Sequence, residues 1–344
     1  MDMTVWEWFH QRSYHHEDFE SLASGSIGPE RPSVTLIFPA RNVAGTMGSI
    51  LSTVADLQAR TGLPDQVIVV DADSPDGTAA IAREYGAEVY SENLLMPGFG
   101  PAQGKGDAMW RALSVARGDI VMFADADTID FGEHFVYGTL GPLLRQPRIQ
   151  FVKAAYRRPF KQGEEQIPDG GGRVTELMAK PLLNLYYPAL AGFVQPLAGE
   201  FAARRELLCS VPFFTGYGVE VGMMIDVYDR IGLDAMAQVD LGTRQNRHQP
   251  LANLTRMASQ VLRTVAARQG LPGGLSVTLD GLGTAEPALW ELGQQNTYLH
   301  AVATADGLRM DEYLNELLER PPFARRPDDP ALSTTALAAS PSGR

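Results

Sequence analysis

The sequence predicts an α/β fold, with a mixed but mostly parallel sheet flanked by helices. Three observations lead there. Short, nearly all-apolar runs of strand length recur along the chain. Segments with apolar residues at helical spacing alternate with them. Two of the runs end in clusters of aspartate, in VIVVDADSPD and IVMFADADTID. Strand and helix in strict alternation build a parallel sheet, because each crossover helix packs back on a face.

In chain order, Val34–Pro39 is the first run, apolar as a strand buried on both faces must be. A helix follows with Met47, Ile50, Leu51, Val54 and Leu57 on one side. Gln66–Val70 is the second strand, and the helix after it runs through Ala80, Ile81 and Tyr85 to a closing Gly86. Ala87–Tyr90 is the third strand. Gly106–Arg117 then places Ala108, Met109, Ala112, Leu113 and Ala116 on one helical face, with Gly118 closing it, and Ile120–Ala124 is the fourth strand. The second half predicts strands near Gln150–Tyr156 and Ala235–Leu241, and helices near Thr175–Tyr187, Val219–Ile231 and Leu251–Arg268. No linker divides the halves, so one continuous sheet is expected. The chain reads as an N-terminal helical segment (1–32), a single domain (33–270, halves 33–130 and 131–250), an α-rich C-terminal extension (271–319) and a disordered, Pro-, Ser- and Ala-rich tail (320–344).

A formal net charge of −12 argues against wholesale binding of nucleic acid or anionic membrane. Anionic ligands then require a local basic pocket or a metal. Cys209 is the single cysteine, which precludes an intrachain disulfide and suggests a reducing cytoplasm. No apolar run approaches the ~20 residues of a membrane span. Trp6, Trp8, Phe9 and Tyr14 are expected to pack an N-terminal helix onto the body or a partner subunit. His15-His16-Glu17-Asp18 is read as a solvated stretch before the fold begins.

Ligands of open α/β sheets sit beyond the carboxyl ends of the strands. Asp71, Asp73 and Asp76 lie there after the second strand, and Asp125, Asp127 and Asp130 after the fourth. Residues two apart in extended chain face the same side, so Asp125 and Asp127 can share a site. Two such carboxylates stay ionised most readily around a divalent cation, and Mg²⁺ takes one or two protein carboxylates with phosphate oxygens completing its shell. Strand-end aspartates also serve as turns or helix caps. Gly104-Lys105-Gly106 opens a helix, so it either approaches a phosphate or is an ordinary loop with a solvated lysine. Gly170–Gly172 precede Arg173 and Thr175 at another helix start, offering open backbone N–H groups, a guanidinium fork and a hydroxyl; a flexible capped loop is the alternative. Gly242–Pro250 carries Arg244, Asn246, Arg247 and His248, where His248 is a candidate for metal or phosphate or a surface residue.

These motifs together resemble the glucosyl-3-phosphoglycerate and mannosyl-3-phosphoglycerate synthase group. They include FPARN (38–42), VIVVDADSPDGT (67–78), GKGDAMWRAL (104–113), IVMFADADTI (120–129), VKAAYRRPF (152–160), GGGRVTEL (170–177), QPLAGEFAARREL (195–207), GYGVEVGMMIDVYDRIGLDA (216–235) and LGTRQNRHQPL (241–251). The resemblance implies a retaining glycosyltransferase with the GT-A, Rossmann-like fold. It implies that Pro39, Ala40, Arg41, Asp71 and Ala72 line the nucleotide, and that Lys105, Asp125, Ala126 and Asp127 meet the diphosphate. Gly199, Glu200 and Tyr217 would border the sugar. Gly172, Arg173, Thr175, Asn246 and His248 would hold the acceptor. It gives Lys105, Asp127, Arg173, Leu197 and Glu220 catalytic roles. Asp127 with His248 or Asn246 would bind Mg²⁺ (or Mn²⁺ or Co²⁺). The partners implied are a nucleotide diphosphate sugar and 3-phosphoglycerate, without nucleic acid or membrane, in a homodimer. Two departures stand out. Val43 replaces the acid usual after the first-loop asparagine, which inclines the donor toward GDP-mannose over UDP-glucose, and the histidine of the last loop is at 248 while Asn246 holds its usual place. A sugar-phosphate nucleotidyltransferase is the rival, opposed by PARNVAGT where such enzymes carry a glycine-rich loop; a soluble GT-A transferase with another acceptor is a second alternative.

Overall fold

A computed structural model of the chain describes residues 3–25, 30–162, 165–167, 171–245, 250–271, 277–278, 297–304, 307–315 and 317–323. Its centre is an eight-stranded sheet. The strands are β1 (Ser13–His15), β2 (Val34–Ala40), β3 (Gln66–Asp71), β4 (Glu88–Ser91), β5 (Ile120–Phe123), β6 (Phe151–Arg157), β7 (Phe201–Arg204) and β8 (Met236–Thr243). They lie in the order β1-β8-β6-β7-β5-β2-β3-β4. β7 alone among them runs antiparallel to both neighbours. Every other neighbouring pair is parallel. β5, β2 and β3 are adjacent in the sheet and parallel, with Leu36, Ile37, Phe38, Ile68, Val69, Val121 and Met122 all fully buried. That is why their sequences are continuous apolar runs rather than alternating ones.

Helices α1 (Val5–Arg12), α2 (Ala44–Thr61), α3 (Thr78–Glu84), α4 (Lys105–Ala112) and α5 (Glu133–Arg145) accompany the first strands. α4 is shorter than its apolar spacing predicts, ending at Ala112. Gly118 therefore closes no helix. It is needed for close approach, since a Cβ there would stand 2.5 Å from the Thr35 backbone nitrogen. At the other end of α4, a Cβ on Gly106 would come within 1.8 Å of the Phe214 carbonyl, while the Gly106 N–H donates to the Thr215 carbonyl at 2.8 Å. The helix start that carries Lys105 is thus pressed directly onto Phe213–Phe214.

Residues 13–16 do not precede the fold. Ser13–His15 pairs with Gln238–Asp240 as the edge strand β1. The α1 indole of Trp8 is fully buried and donates from Nε1 to the Met236 carbonyl at 2.8 Å. Trp6, by contrast, is 75% exposed. The sequence pattern missed β1 because three residues are too few to show a period.

The C-terminal part also departs from expectation. Its described residues beyond 271 are strands, Val277–Thr278, Thr297–Thr304, Gly307–Leu314 and Leu318–Arg320, and not helices. Leu318–Arg320 pairs with Phe213–Phe214. Arg320 is buried and forks onto Asp107 of α4 (Nη2–Oδ2 2.7 Å, Nε–Oδ1 2.8 Å), and the Trp110 indole donates to the Pro321 carbonyl at 2.9 Å. Residues 320–323 therefore belong to the packed body; residues 324–344 of the expected tail lie outside the described residues. No described helix is long and apolar enough to cross a membrane.

If the N-terminal segment is integral to the fold, Trp8→Ala should cost about 3–5 kcal/mol, the range for emptying a core of an indole. Urea denaturation checks this, and a midpoint unchanged from the parent protein would contradict the placement.

Candidate active site

The carboxyl ends of β2, β3 and β5 form one crest. Ala40 lies opposite Asp71, and the Ala72 N–H donates to the Ala40 carbonyl at 2.9 Å, so Pro39, Ala40, Arg41, Asp71 and Ala72 share one wall. The aspartates after β3 are mostly structural. Asp76 accepts from the Thr78 hydroxyl (2.6 Å) and the Ala44 N–H (3.0 Å), tying α3 to α2. Asp73 accepts from Asn93. These hydrogen bonds hold both carboxyls below the usual carboxylate range. Asp71 is 4% exposed, accepts from the Ser74 N–H through one oxygen and leaves Oδ1 without a partner. After β5, Asp130 accepts the Gln245 N–H at 3.0 Å and anchors the loop after β8.

Asp125 and Asp127 instead belong to a cluster of charged side chains. Asp125 bonds Lys105 Nζ at 2.5 Å through one oxygen and Arg244 Nη2 at 2.8 Å through the other. Lys105 also reaches Glu220, in the first turn of the helix Val219–Ile231, at 2.8 Å. Arg244 carries the cluster further. Its Nη1 donates to Glu200 (2.7 Å) and to the Tyr156 hydroxyl (2.7 Å), and its Nη2 lies 3.4 Å from Asp127. Its side chain is 2% exposed, that of Glu200 0%, and that of Asp127 49%. Asp127 is the most open member of a charge network whose Arg244–Glu200 end is buried and whose Lys105 and Asp125 side chains are partly exposed.

The charges set the protonation states. Burial would raise the Asp125 carboxyl, but Lys105 and Arg244 outweigh it and hold the group well below its usual range. At Asp127 burial and the negative charge of Asp125 prevail, and its carboxyl is raised. Burial also raises Glu200. Burial opposes the charge on Lys105, yet Asp125 and Glu220 keep it protonated well beyond the ordinary lysine range. An Asp127 carboxyl that is half exposed and disfavoured as an anion fits a divalent cation, which would relieve the repulsion. No group of three or more His, Cys, Asp or Glu that could hold a metal occurs among the described residues. Asp127 would thus hold the ion together with phosphate oxygens, as suits a hard cation of low protein coordination. Asn246 and His248, the other expected ligands, lie outside the described residues.

The segment 195–200 forms the far wall. A Cβ on Gly199 would fall 2.1 Å from Asp125 Oδ1, so only glycine lets this backbone meet the carboxylate. Leu197 is partly buried beside it. Ala126 is buried, and its carbonyl accepts the Thr46 hydroxyl at 2.6 Å. Tyr217 is 51% exposed at the rim.

The expected acceptor loop is linked to this network. Gly172 has φ +67°, a conformation that favours glycine, and a Cβ there would meet Gln195 Oε1 at 4.0 Å. Gln195 is buried, leaves Oε1 without a partner and donates from Nε2 to the Tyr156 carbonyl at 3.1 Å. Tyr156 in turn bonds Glu200 at 3.0 Å. The loop does not leave all its N–H groups open: that of Gly171 donates to the Arg158 carbonyl, and Gly170 lies outside the described residues. Arg173 opens a helix whose next turn, Thr175–Ala179, is a widened π turn, and Thr175 is 2% exposed within it. Such π turns recur at functional sites.

Sequence reasoning singled out Arg244 as a polar loop residue but gave it no role, and it passed over Tyr156, Lys153 and Gln195. A lysine inside the apolar run FVKAAY was the available signal.

An open, mostly parallel sheet whose strand ends present a paired aspartate motif, a glycine-opened lysine helix and a second loop for an anion defines a GT-A glycosyltransferase. Residues 35–193 match the family model described as glycosyl transferase family 2. The glucosyl-3-phosphoglycerate synthase of Petrotoga mobilis is 40% identical over 273 residues, covering 78% of this chain and 84% of the relative. That of Mycolicibacterium smegmatis is 46% identical over 239 residues, covering 70% and 78%. Among solved structures, the mannosyl-3-phosphoglycerate synthase from Rubrobacter xylanophilus is 57% identical, with a TM-score of 0.81 over 93% of this chain and 98% of that one. The Mycobacterium tuberculosis glucosyl-3-phosphoglycerate synthase, in complex with Mn²⁺, UDP and glucosyl-3-phosphoglycerate, is 36% identical with a TM-score of 0.72, covering 91% and 96%. The chain belongs to the family of glucosyl-3-phosphoglycerate and mannosyl-3-phosphoglycerate synthases.

Removing Arg244 should expose the balance of the network. Breaking a buried ion pair from one side costs about 3–5 kcal/mol. Without the guanidinium, the already raised Glu200 carboxyl rises further, so the folded state binds its proton more tightly than the unfolded chain does. Stability then falls as pH rises. For Arg244→Gln, urea melts should show the largest deficit near about pH 8 and partial recovery near about pH 5. A deficit independent of pH would contradict this.

Proposed function

We propose that this protein transfers a hexose from a nucleotide diphosphate sugar to the C2 hydroxyl of D-3-phosphoglycerate, with the α configuration retained. The observation that carries the reading is the half-exposed Asp127, joined through Arg244 and Asp125 to Lys105, the first residue of α4, which Asp125 and Glu220 hold charged. Such a corner suits a diphosphate, where negative charge grows as the glycosidic bond breaks. Lys105 would donate to a phosphate oxygen there. A divalent ion held by Asp127 would supply Lewis-acid compensation of the leaving diphosphate. The Gly172–Arg173 turn would orient the phosphate and carboxylate of the acceptor, turning an encounter into an aligned attack.

The carboxylates do not offer a good covalent nucleophile. Glu200 is completely buried and bonded through Oε2 to Arg244 and Tyr156, and Glu220 is paired with Lys105. This supports front-face attack, in which the departing phosphate helps take the acceptor proton. Trapping a glycosyl adduct on either glutamate would overturn it. The complexes of the Mycobacterium tuberculosis relative with UDP-glucose and phosphoglyceric acid support the substrate class. For the donor, Val43 and the 57% identity to a mannosyl-3-phosphoglycerate synthase favour GDP-mannose, with UDP-glucose second. A homodimeric assembly and a cytoplasmic location belong to the same proposal.

The deciding experiment is a donor panel with 3-phosphoglycerate and Mg²⁺, scored for the nucleoside diphosphate released. Pyrophosphate release would point instead to nucleotidyl transfer. Asp127→Ala should lower turnover at least about 100-fold, the scale for losing one charge-stabilising contact, with the fold intact by circular dichroism. Near-parental turnover would remove Asp127 from the metal. Arg173→Ala should raise the apparent KM for phosphoglycerate about tenfold or more, since a charged hydrogen bond contributes about 1.5–3 kcal/mol. An unchanged KM would place the acceptor elsewhere.

A further inference from the structure

We infer that Lys153 is a positioning residue for the transfer: it holds the Ala198 carbonyl and thereby fixes the backbone of Leu197–Glu200 against Asp125. The inference rests on the reading of this site as the place of hexosyl transfer.

Lys153 lies within β6 and is 1% exposed. Its Nζ donates to the Ala198 carbonyl at 2.6 Å and lies 5.0 Å from the centre of the Phe201 ring. The segment it grips is held at three points. At its start, Gln195 donates to Tyr156 from its side chain, and its carbonyl accepts the Ala198 N–H at 3.0 Å. At its end, the Ala154 N–H donates to the Glu200 carbonyl at 3.0 Å, and Phe201 enters the ladder opposite Lys153. Lys153 supplies the middle point. Its grip matters because the next residue, Gly199, has no room for even a methyl group before Asp125. A displacement of this backbone would therefore move Asp125, and with it Lys105 and Arg244. It would also move Leu197 and its main chain at the wall of the pocket.

A lysine is a costly choice here. Its neighbours on β6, Phe151, Val152, Ala154 and Ala155, are apolar and buried. Burial pushes the Lys153 amine down to about 8; Glu220 of the helix after residue 218, Glu200 and Asp125 pull it up, and Lys105 of α4 pushes it down. A buried group carried at the expense of stability, next to a reactive cleft, is the pattern of a residue kept for function.

The test compares the full chain with Lys153→Met, which keeps the length of the side chain and removes the charge and the donor. Both proteins are assayed on whichever acceptor of a panel the wild type uses, 3-phosphoglycerate first. The expected result is a melting temperature equal to or above wild type, a kcat lower by about tenfold to 100-fold, as misplaced reacting groups produce, and KM values for both substrates within about threefold. Loss of the Lys153 proton weakens the charge-assisted bond to the Ala198 carbonyl without removing it, so the wild-type kcat should fall partway towards the variant's value as pH rises through about 8, and the variant should lack that limb. A wild-type kcat in the variant overturns the inference. So does a fall in melting temperature that accompanies weaker binding of both substrates, which marks a purely structural lysine. A wild type that uses another acceptor sinks the phosphoglycerate reading alone, because the Lys153 comparison is then scored on that acceptor.

Discussion

The guanidinium of Arg244 joins what the sheet alone would keep apart. It comes from the end of β8 and bonds Glu200 at the start of β7, Tyr156 near the end of β6 and Asp125 beyond β5. These strands are neighbours in the sheet, but without a cation their end groups would repel one another. Among the described residues, the four carboxylates Asp125, Asp127, Glu200 and Glu220 form ion pairs with two cations, Arg244 and Lys105. Burial disfavours the charges on Asp125, Asp127, Glu200, Lys105 and Arg244; their partners outweigh it at Asp125, Lys105 and Arg244, and not at Asp127 and Glu200. The deficit of positive charge falls at Asp127, the member most open to solvent. A divalent cation bound at Asp127 would offset that excess of negative charge. The same arithmetic explains why Asp125 and Asp127, two residues apart, are driven in opposite directions: one has two cations at hydrogen-bonding distance and the other a single distant guanidinium.

Much of this architecture was legible in the sequence, and for a definite reason. Strands at the centre of a parallel sheet bury both faces, so Val34–Pro39, Gln66–Val70 and Ile120–Ala124 stand out without an alignment. The aspartates at the ends of the last two stand out for the same reason, as charge directly after a core segment. Most of what escaped notice is short or non-local. β1 is too brief to have a period, and its partner lies more than two hundred residues away. Leu318–Arg320 escaped because it is three residues long and its partner Phe213–Phe214 is distant in sequence; Thr297–Thr304 and Gly307–Leu314 pair locally with each other and were simply missed. Gly106 and Gly118 read as helix punctuation, whereas the structure uses them for contact between backbones, a property of the tertiary neighbour and not of the residue.

The site was legible at the level of motifs, less so at the level of partners. Lys105, Asp125, Gly199, Glu200 and Glu220 come together as a cluster, although they span more than a hundred positions. The sequence could not reveal which aspartates were already occupied. Asp76 and Asp130 resemble Asp127 in every local respect; only the loops they tie down remove them from the chemistry. Arg244 was hidden in the opposite way. In the sequence it was one polar residue of several beside Asn246, Arg247 and His248, and its burial among Glu200, Tyr156 and Asp125 is a tertiary property.

The position of Lys105 shows how far the site reaches into the fold. It begins α4, a helix of two turns, and a helix so short has little stability of its own. Its register is set instead by Asp107, which accepts from the Gln103 N–H at 2.9 Å, from Arg111 at 3.1 Å and from Arg320 at 2.7 and 2.8 Å. Two buried guanidinium groups on one buried carboxylate form a directional clamp that an apolar contact would not provide. The second of them arrives from the far end of the described chain. The strand Leu318–Arg320, joined to Phe213–Phe214 and through Thr215 to Gly106, presses the same helix start from the other side. The lysine proposed to meet the diphosphate is thus aimed by the C-terminal segment as much as by its own glycines. Conversely, Lys105 opens its helix towards a corner already filled with negative charge, Asp125 and Glu220, which keeps it protonated before any phosphate arrives. Preorganisation of this kind places the cost of orienting the charge in folding rather than in the reaction.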